Sequence, residues 1–429
     1  MADNNDAYRD TVRNLSDRIV AAQKPIRILD AIKWDASVKQ AFFASGCRQQ
    51  PAVDAAYYRD RPLGFDVEEL GHELHAIERD IVRQLGQFNP VGKMMGRMCR
   101  EYQMAIRMLQ ARGTPAFSDL SQQLYGAASD AFHAGDPSIA DLGAMLAETL
   151  GNIDRESDLS AEPREIPAEE AVRMLQQRLS AAFAEADSSV RVFLDDGIVA
   201  DAAAGADYLK IRDDARFRNR DIRMLEVHEG WVHLGTTLNG QDQPVCTFLS
   251  KGPPSATVTQ EGLAILMEII AFTSYPERLR KLGNRIRAVS MAEQGATFLD
   301  VFGFFREQGL SDDESFNHAS RVFRGSGPTY GPFTKDLSYS KGFIMVYNFI
   351  QLAVRHGRLD RVPLLFCGKV TLEDIPVLAH LVEEGLVNPP RFLPPQFSDL
   401  SALAAWMAYS GFLNRLSLDR IEADYAHLV

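Results

Sequence analysis

Four cysteines in 429 residues, Cys47, Cys99, Cys246 and Cys367, are too few and too scattered for a disulfide framework or a cysteine zinc site. Each lies among apolar neighbours, which predicts buried thiols in a reducing cytoplasm. No apolar run reaches the roughly 18–20 residues that span a bilayer, so no membrane partner is expected. The opening MADNNDAYRD is acidic and lacks the apolar core of a signal peptide. Basic charge is in deficit, with 46 Lys and Arg against 58 Asp and Glu for a net −12. That balance argues against nucleic acid or an anionic surface as partner. Repeats and low-complexity tracts are also lacking. The composition is that of an ordinary globular protein, 46% hydrophobic and 24% charged, with length for two or three domains.

Against this background one stretch stands out, His228-Glu229-Gly230-Trp231-Val232-His233. Two imidazoles can bind Zn²⁺, and the adjacent Glu229 can act as general base on water. The run Gln260-Glu261-Gly262-Leu263-Ala264 adds a carboxylate, Glu261, as candidate third ligand. Two His and one carboxylate leave a position open, the arrangement of catalytic rather than structural zinc. The spacing is one residue longer than in the common zinc peptidases. Each α-helical residue turns about 100°, so an i,i+5 pair sits about 140° apart and cannot share a metal on a regular helix. A π-type turn would bring His228 and His233 together, and Gly230 tolerates odd geometry. A distorted helix is therefore predicted at Gly230–Val232. A rival cluster, His72-Glu73-Leu74-His75, has no third ligand and reads as a solvated helix face.

Periodicity predicts a mainly α chain with a small α+β unit. Residues 8–160 read as helical, with runs around 66–87, 92–112, 117–134 and 137–151. The charged stretch 154–170 reads as a linker or surface loop. A strong helix, EEAVRMLQQRLSAAFAEA, precedes strands expected near 189–195, 198–203 and 206–211, taken as a small antiparallel sheet. The helix carrying His228 and His233 is expected at about 218–238. Such a sheet beside a zinc helix commonly offers an edge strand to extended peptide. Further helices are expected at 258–274, 276–290, 293–308, 312–323, 338–357, 371–386 and 397–426, with a Gly/Pro-rich loop at 325–336. The division that follows is a helical domain at 1–160 and a catalytic domain at 161–429. The latter splits into the helix-plus-sheet unit 161–217 and a helical zinc-site region 218–429.

Six segments carry a family resemblance: KPIRILDAIKW (24–34), VHEGWVHLGTTLNGQDQP (227–244), TQEGLAILMEI (259–269), RVFRG (321–325), FTKDLSYSKG (333–342) and LFCGKV (365–370). Together they resemble the bacterial QEGLA-motif proteins, known as modulators of flavohaemoglobin expression. These are similar to the eukaryotic microtubule-associated tyrosine carboxypeptidases, which remove the C-terminal Tyr of α-tubulin. The resemblance spans roughly residues 24–395. It implies a zincin-like metallopeptidase half packed on the helical N-terminal half. It also implies His228, His233 and Glu261 as zinc ligands and Glu229 as general base. The family's usual Ile-Gly-Thr after the first Glu is replaced here by Gly230-Trp231-Val232. The basic N-terminal extension of the tubulin-acting enzymes is replaced by a short acidic one, which argues against tubulin as partner.

The resemblance points to a zinc-dependent peptide hydrolase, most concretely a carboxypeptidase acting on a peptide or protein C-terminus. Such an enzyme needs a fixed cation for the terminal carboxylate, and Arg321, Arg324 and Lys335 are the candidates. Tyr339 is the candidate oxyanion donor. Asp336 and Glu268 are both candidates to orient a zinc-binding His. Trp231 reads as packing, and His133, His318, His356, His380 and His427 as structural or exposed. Two further classes stay open: a regulatory protein with a sensing or structural metal, and a non-peptide zinc amidase.

Overall fold

A computed structural model describes residues 2–156, 163–186, 190–198, 200–418 and 420–421. The chain is mainly helical, with two small sheets inserted between the eighth and tenth helices in chain order. No described helix is long and apolar enough to cross a membrane.

The N-terminal helices include Ala2–Gln23, Val67–Leu85, Pro90–Gln110 and Pro115–Tyr125. Their ends are chemically marked. Asp66 and Asn89 cap their helices through side-chain oxygens, and Pro90 and Pro115 take the first turn. The run expected to reach 134 stops at Tyr125, because Gly126 adopts φ 91 and turns the chain away. Apolar faces of these helices do not close a core among themselves. Leu74, Ile77, Met95, Met98 and Leu109 share one buried cluster with Val232, Leu263, Leu266, Val346, Ile350 and Leu378. A second cluster is aromatic, with Trp34, Phe42, Phe298, Phe302, Phe316 and Phe323 in mutual edge and tilted contact.

The third cluster builds the floor of the candidate site. Helix Ala168–Ala182 packs Leu175 and Leu179 on Leu209 and Ile211 of the sheet and on Leu225 and Leu234. The sheet is mixed, not antiparallel as its alternation suggested. Arg191–Asp195 pairs in parallel with the central strand Tyr208–Arg212, whose other edge pairs antiparallel with Ala202–Ala204. Alternation reports which face is buried and is silent on strand direction. A second two-residue pairing, Ile166–Pro167 with Arg216–Phe217, ties down the end of the stretch read as linker. Parts of that stretch, of the first two expected strands and of the C-terminal helix fall outside the described residues, as does His427. The described C-terminal helix is Leu400–Leu413, shorter than the run predicted.

Two helices cross without side chains between them. Ala256–Ile270 and Ser338–Arg355 meet at Gly262 and Gly342. A Cβ on Gly342 would lie 1.9 Å from the Val258 carbonyl oxygen, and one on Gly262 2.0 Å from the Gly342 carbonyl carbon. This backbone contact sets Glu261 and Tyr339, the neighbours of that crossing in sequence, against the histidine helix.

Candidate metal centre

The histidines lie on a π-helix, Glu226–Leu234, continuous with α-helical turns on both sides. This is the distortion the i,i+5 spacing required. The wider turn places the His228 and His233 rings 4.9 Å apart at 76°. Its carbonyls find side-chain donors. Thr236 Oγ1 donates to Val232 O at 2.6 Å, and Thr237 Oγ1 and Lys369 Nζ both donate to His233 O at 2.7 Å. Gly230 faces helix Ala168–Ala182, where a Cβ would come within 2.4 Å of Leu179 Cδ2. Trp231 packs on Phe183 in a tilted contact, ring centroids 5.2 Å apart, and is packing, as read from sequence.

Glu261 arrives from the crossing helix. Its Oε2 lies 3.5 Å from His228 Nε2 and 3.4 Å from His233 Nε2. That oxygen is buried and has no hydrogen-bond partner of proper geometry. Glu229 Oε1 stands 4.0 Å from His228 Nε2, so a second carboxylate faces the pair. Two imidazole nitrogens and a carboxylate oxygen converging on one shielded point form a donor set that suits a divalent cation of the zinc type. Glu229 is also within reach of the pair, since His228, Glu229 and His233 can bring one atom each within 4.8 Å of one another. Glu261 is the nearer carboxylate to both rings.

Behind the histidines, Glu268 Oε1 accepts from His228 Nδ1 at 2.7 Å. Glu268 is fully buried and is gripped by Arg278 through bonds of 3.1 and 2.9 Å. Burial raises the Glu268 carboxyl, but Arg278 and His228 outweigh it and hold it at about 2. With Nδ1 committed to Glu268, Nε2 of His228 is the nitrogen left to face Glu261. Burial lowers the His228 imidazole, yet the Glu261 and Glu268 carboxylates outweigh that and push it up to about 9 with no cation bound. Burial likewise opposes the charge on Glu261, and Lys335 and the two histidines override it and hold its carboxyl well below the usual range. A divalent ion would take the place of those protons.

The remaining candidates divide. Lys335 Nζ lies 3.3 Å from Glu261 Oε1, so it is engaged by the carboxylate that faces the rings. Tyr339 stacks on His228 with centroids 6.3 Å apart. Arg321 holds Asp336 through two bonds of 2.9 and 2.7 Å. Asp336 therefore serves arginine, not histidine, and Glu268 is the carboxylate that orients the ring. Among the described residues no carboxylate lies within 4.0 Å of Arg324, which sits over the Phe333 ring at 5.5 Å. His72 and His75 are exposed, as are His133, His356 and His380.

Three features escaped the sequence reading. The first is Arg278, together with Lys281 and Arg285 on the same helix. Their spacing of three and four was visible but reads by default as a solvated face. Lys369 is the second. It reaches His233 O, Thr236 Oγ1 and Gln260 Oε1, and burial pulls its ammonium down to about 7. The third is a backbone group: Ala204 N donates to Glu229 Oε2 at 3.0 Å. Gly205 N and Asp201 O bond inward to Tyr208 O and Arg212 N. Alternation then turns the backbone groups of Ala202 and Ala204 outward from the sheet.

No curated protein sequence matches the chain. The family model for microtubule-associated tyrosine carboxypeptidases matches residues 40–415, which take in the π-helix, Glu261 and the arginine cluster. On that match, the chain belongs to the microtubule-associated tyrosine carboxypeptidase family.

Proposed function

We propose that the chain is a zinc-dependent carboxypeptidase with a zincin-like catalytic half at 161–429 packed on the helical residues 1–160. His228, His233 and Glu261 would hold the ion. The observation that carries this reading is the bare, buried Glu261 Oε2 facing both Nε2 atoms, with Glu268 fixed behind His228. The family name adds the expectation of peptide hydrolysis at a C-terminus.

A bound Zn²⁺ would polarise the scissile carbonyl and acidify the attacking water. Everything else falls to the chain. Glu229 accepts the water's proton and hands it to the departing amine nitrogen. Its Oε2 is steadied by the Ala204 N–H, so the proton-carrying oxygen is Oε1, on the His228 side. The outward N–H and carbonyl of Ala202 and the carbonyl of Ala204 are the edge groups left to pair with an extended peptide, the Ala204 N–H being held by Glu229. Tyr339 donates to the carbonyl oxygen as it gains charge; its ring stacked on His228 supports this assignment. The terminal carboxylate is met by Arg324, which unlike Arg321 and Lys335 has no carboxylate within 4.0 Å among the described residues.

The test is elemental analysis together with hydrolysis of a C-terminal peptide library. One Zn²⁺ per chain, lost in His233→Ala, with release of single C-terminal residues, is the expected result. Undiminished zinc in His233→Ala would remove the ligand assignment. A firmly held metal with no cleavage of any peptide would favour a regulatory role.

A further inference from the structure

Helix Pro276–Glu293 carries Arg278, Lys281 and Arg285 at intervals of three and four residues, hence on one face. Arg278 is matched by Glu268. Arg285 instead joins Arg321 and Arg324, from the end of helix Asp312–Phe323, around Asp336, and Lys281 lies beside them, opposed by Asp201. Arg321 takes both oxygens of Asp336, and Arg285 stands 4.0 Å away with a side chain only 9% exposed. Among the described residues no other carboxylate comes within 4.0 Å of Arg285, Arg321 or Arg324. The Nε atoms of Arg285 and Arg324 are both shielded and make no hydrogen bond among the described residues. His318 belongs to the same group and supplies no negative charge. Burial and the cations Arg285, Lys281 and Arg321 drive its imidazole well below its ordinary range.

The charges do not balance. The three guanidiniums have one described carboxylate within 4.0 Å of any of them, and Lys281, pulled down by burial to about 8, adds a fourth cation that Asp201 opposes from farther off. Uncompensated buried charge is strongly unfavourable, so the cluster calls for anions from outside. A peptide's terminal carboxylate supplies one negative charge and leaves at least one guanidinium unmatched. The cluster also borders the candidate metal centre. The Tyr339 ring lies 5.3 Å from the Arg285 guanidinium and 6.3 Å from the His228 ring.

We propose that Arg285, with Lys281 beside it, forms an anion site that takes a second compact anion next to the terminal carboxylate that Arg324 meets in a bound peptide. Only the word peptide rests on the carboxypeptidase reading; the charge excess exists without it. The same chemistry has two sources. One is the side-chain carboxylate of a terminal Asp or Glu, which would make acidic residues the ones released. The other is a free inorganic anion, chloride or phosphate, seated next to a neutral terminal residue.

Calorimetric titration of the purified protein with L-glutamate and L-glutamine, in HEPES free of halide and phosphate, separates the two. So does the melting temperature with chloride or phosphate added at constant ionic strength. If the substrate brings the anion, glutamate binds about ten- to a hundredfold more tightly than glutamine, the range of a charge-assisted hydrogen bond. If the anion is free, chloride or phosphate raises the melting temperature and tightens glutamine binding. In either case Arg285→Met erases the effect. Lys281→Met, at a partly buried position, weakens it and serves if Arg285→Met does not fold. Equal binding of both amino acids with an anion-independent melting temperature overturns the site. So does an anion effect that survives in both variants. Anion binding without cleavage of any peptide would sink the carboxypeptidase reading alone. Cleavage with no anion preference of either kind would sink the anion site alone.

Discussion

At the scale of single residues the site is organised by which carboxylate answers which cation. Glu229 is the carboxylate we propose for proton transfer, since among the described residues its hydrogen bond comes from a backbone N–H and not from a cation. Glu229→Gln keeps a carbonyl oxygen for Ala204 N, so zinc content and melting temperature should persist while turnover falls about 10²–10⁴-fold. Full turnover in that variant would move the base elsewhere, and lost zinc would make Glu229 a ligand. Glu268 has a different task. Glu268→Gln removes the charge that fixes His228 Nδ1 and strands Arg278, so zinc affinity should drop about 10–100-fold by chelator competition. Unchanged affinity would leave Glu268 with only a structural role. Asp336 tests the arginine cluster through stability. Asp336→Asn leaves Arg321 buried and unpaired, a loss of about 3–5 kcal/mol at neutral pH by denaturant titration. Asp336 is held below its ordinary range by Arg321 and Arg285, which outweigh burial. Its contribution is thus present above the unfolded carboxyl value of about 3.8 and fades as pH falls below it. The gap between variant and wild type should narrow in acid; a constant gap would show the cost to be steric.

At the scale of elements, the most specific prediction concerns the crossing of helices Ala256–Ile270 and Ser338–Arg355. Neither Gly262 nor Gly342 can gain a methyl group without meeting backbone at about 2 Å. Gly342→Ala should cost roughly 1–3 kcal/mol or more through overpacking and should shift Glu261 and Tyr339 off the histidines. Stability and zinc affinity would then fall together, and a silent Gly342→Ala would refute the contact. This crossing was not legible in the sequence, because two glycines 80 residues apart give no sign of touching. The π-helix was legible, because six residues from His228 to His233 leave a regular helix no way to bring both rings to one point. Glu261 was legible from its place beside a glycine in a second helical run. Arg278, Lys281 and Arg285 were not, since a basic stripe reads as solvated until a helix is seen to cover it. Strand direction was hidden for a related reason: the parallel pairing of Arg191–Asp195 with Tyr208–Arg212 depends on how the chain returns, not on side-chain alternation.

At the scale of the whole molecule, substrate class can be tested without altering the protein. Amidating a peptide's C-terminus removes a contact of roughly 1.5–3 kcal/mol, or about one to two decades in kcat/KM. Arg324→Ala should cause a similar loss on the free acid and add little on the amide, because both remove one interaction. Equal cleavage of acid and amide by the wild type would point to an endopeptidase. The largest core cluster bears on how the molecule is made. Met95, Met98 and Leu109 are covered by residues as late as Ile350 and Leu378. At synthesis rates of about 5–20 residues per second, those side chains leave the ribosome roughly 15 to 55 s ahead of their cover. For that interval the first helices expose a methionine-rich apolar face, so the nascent chain is a natural client for a holding chaperone, and its yield in a cell should track chaperone supply more closely than the stability of the finished fold.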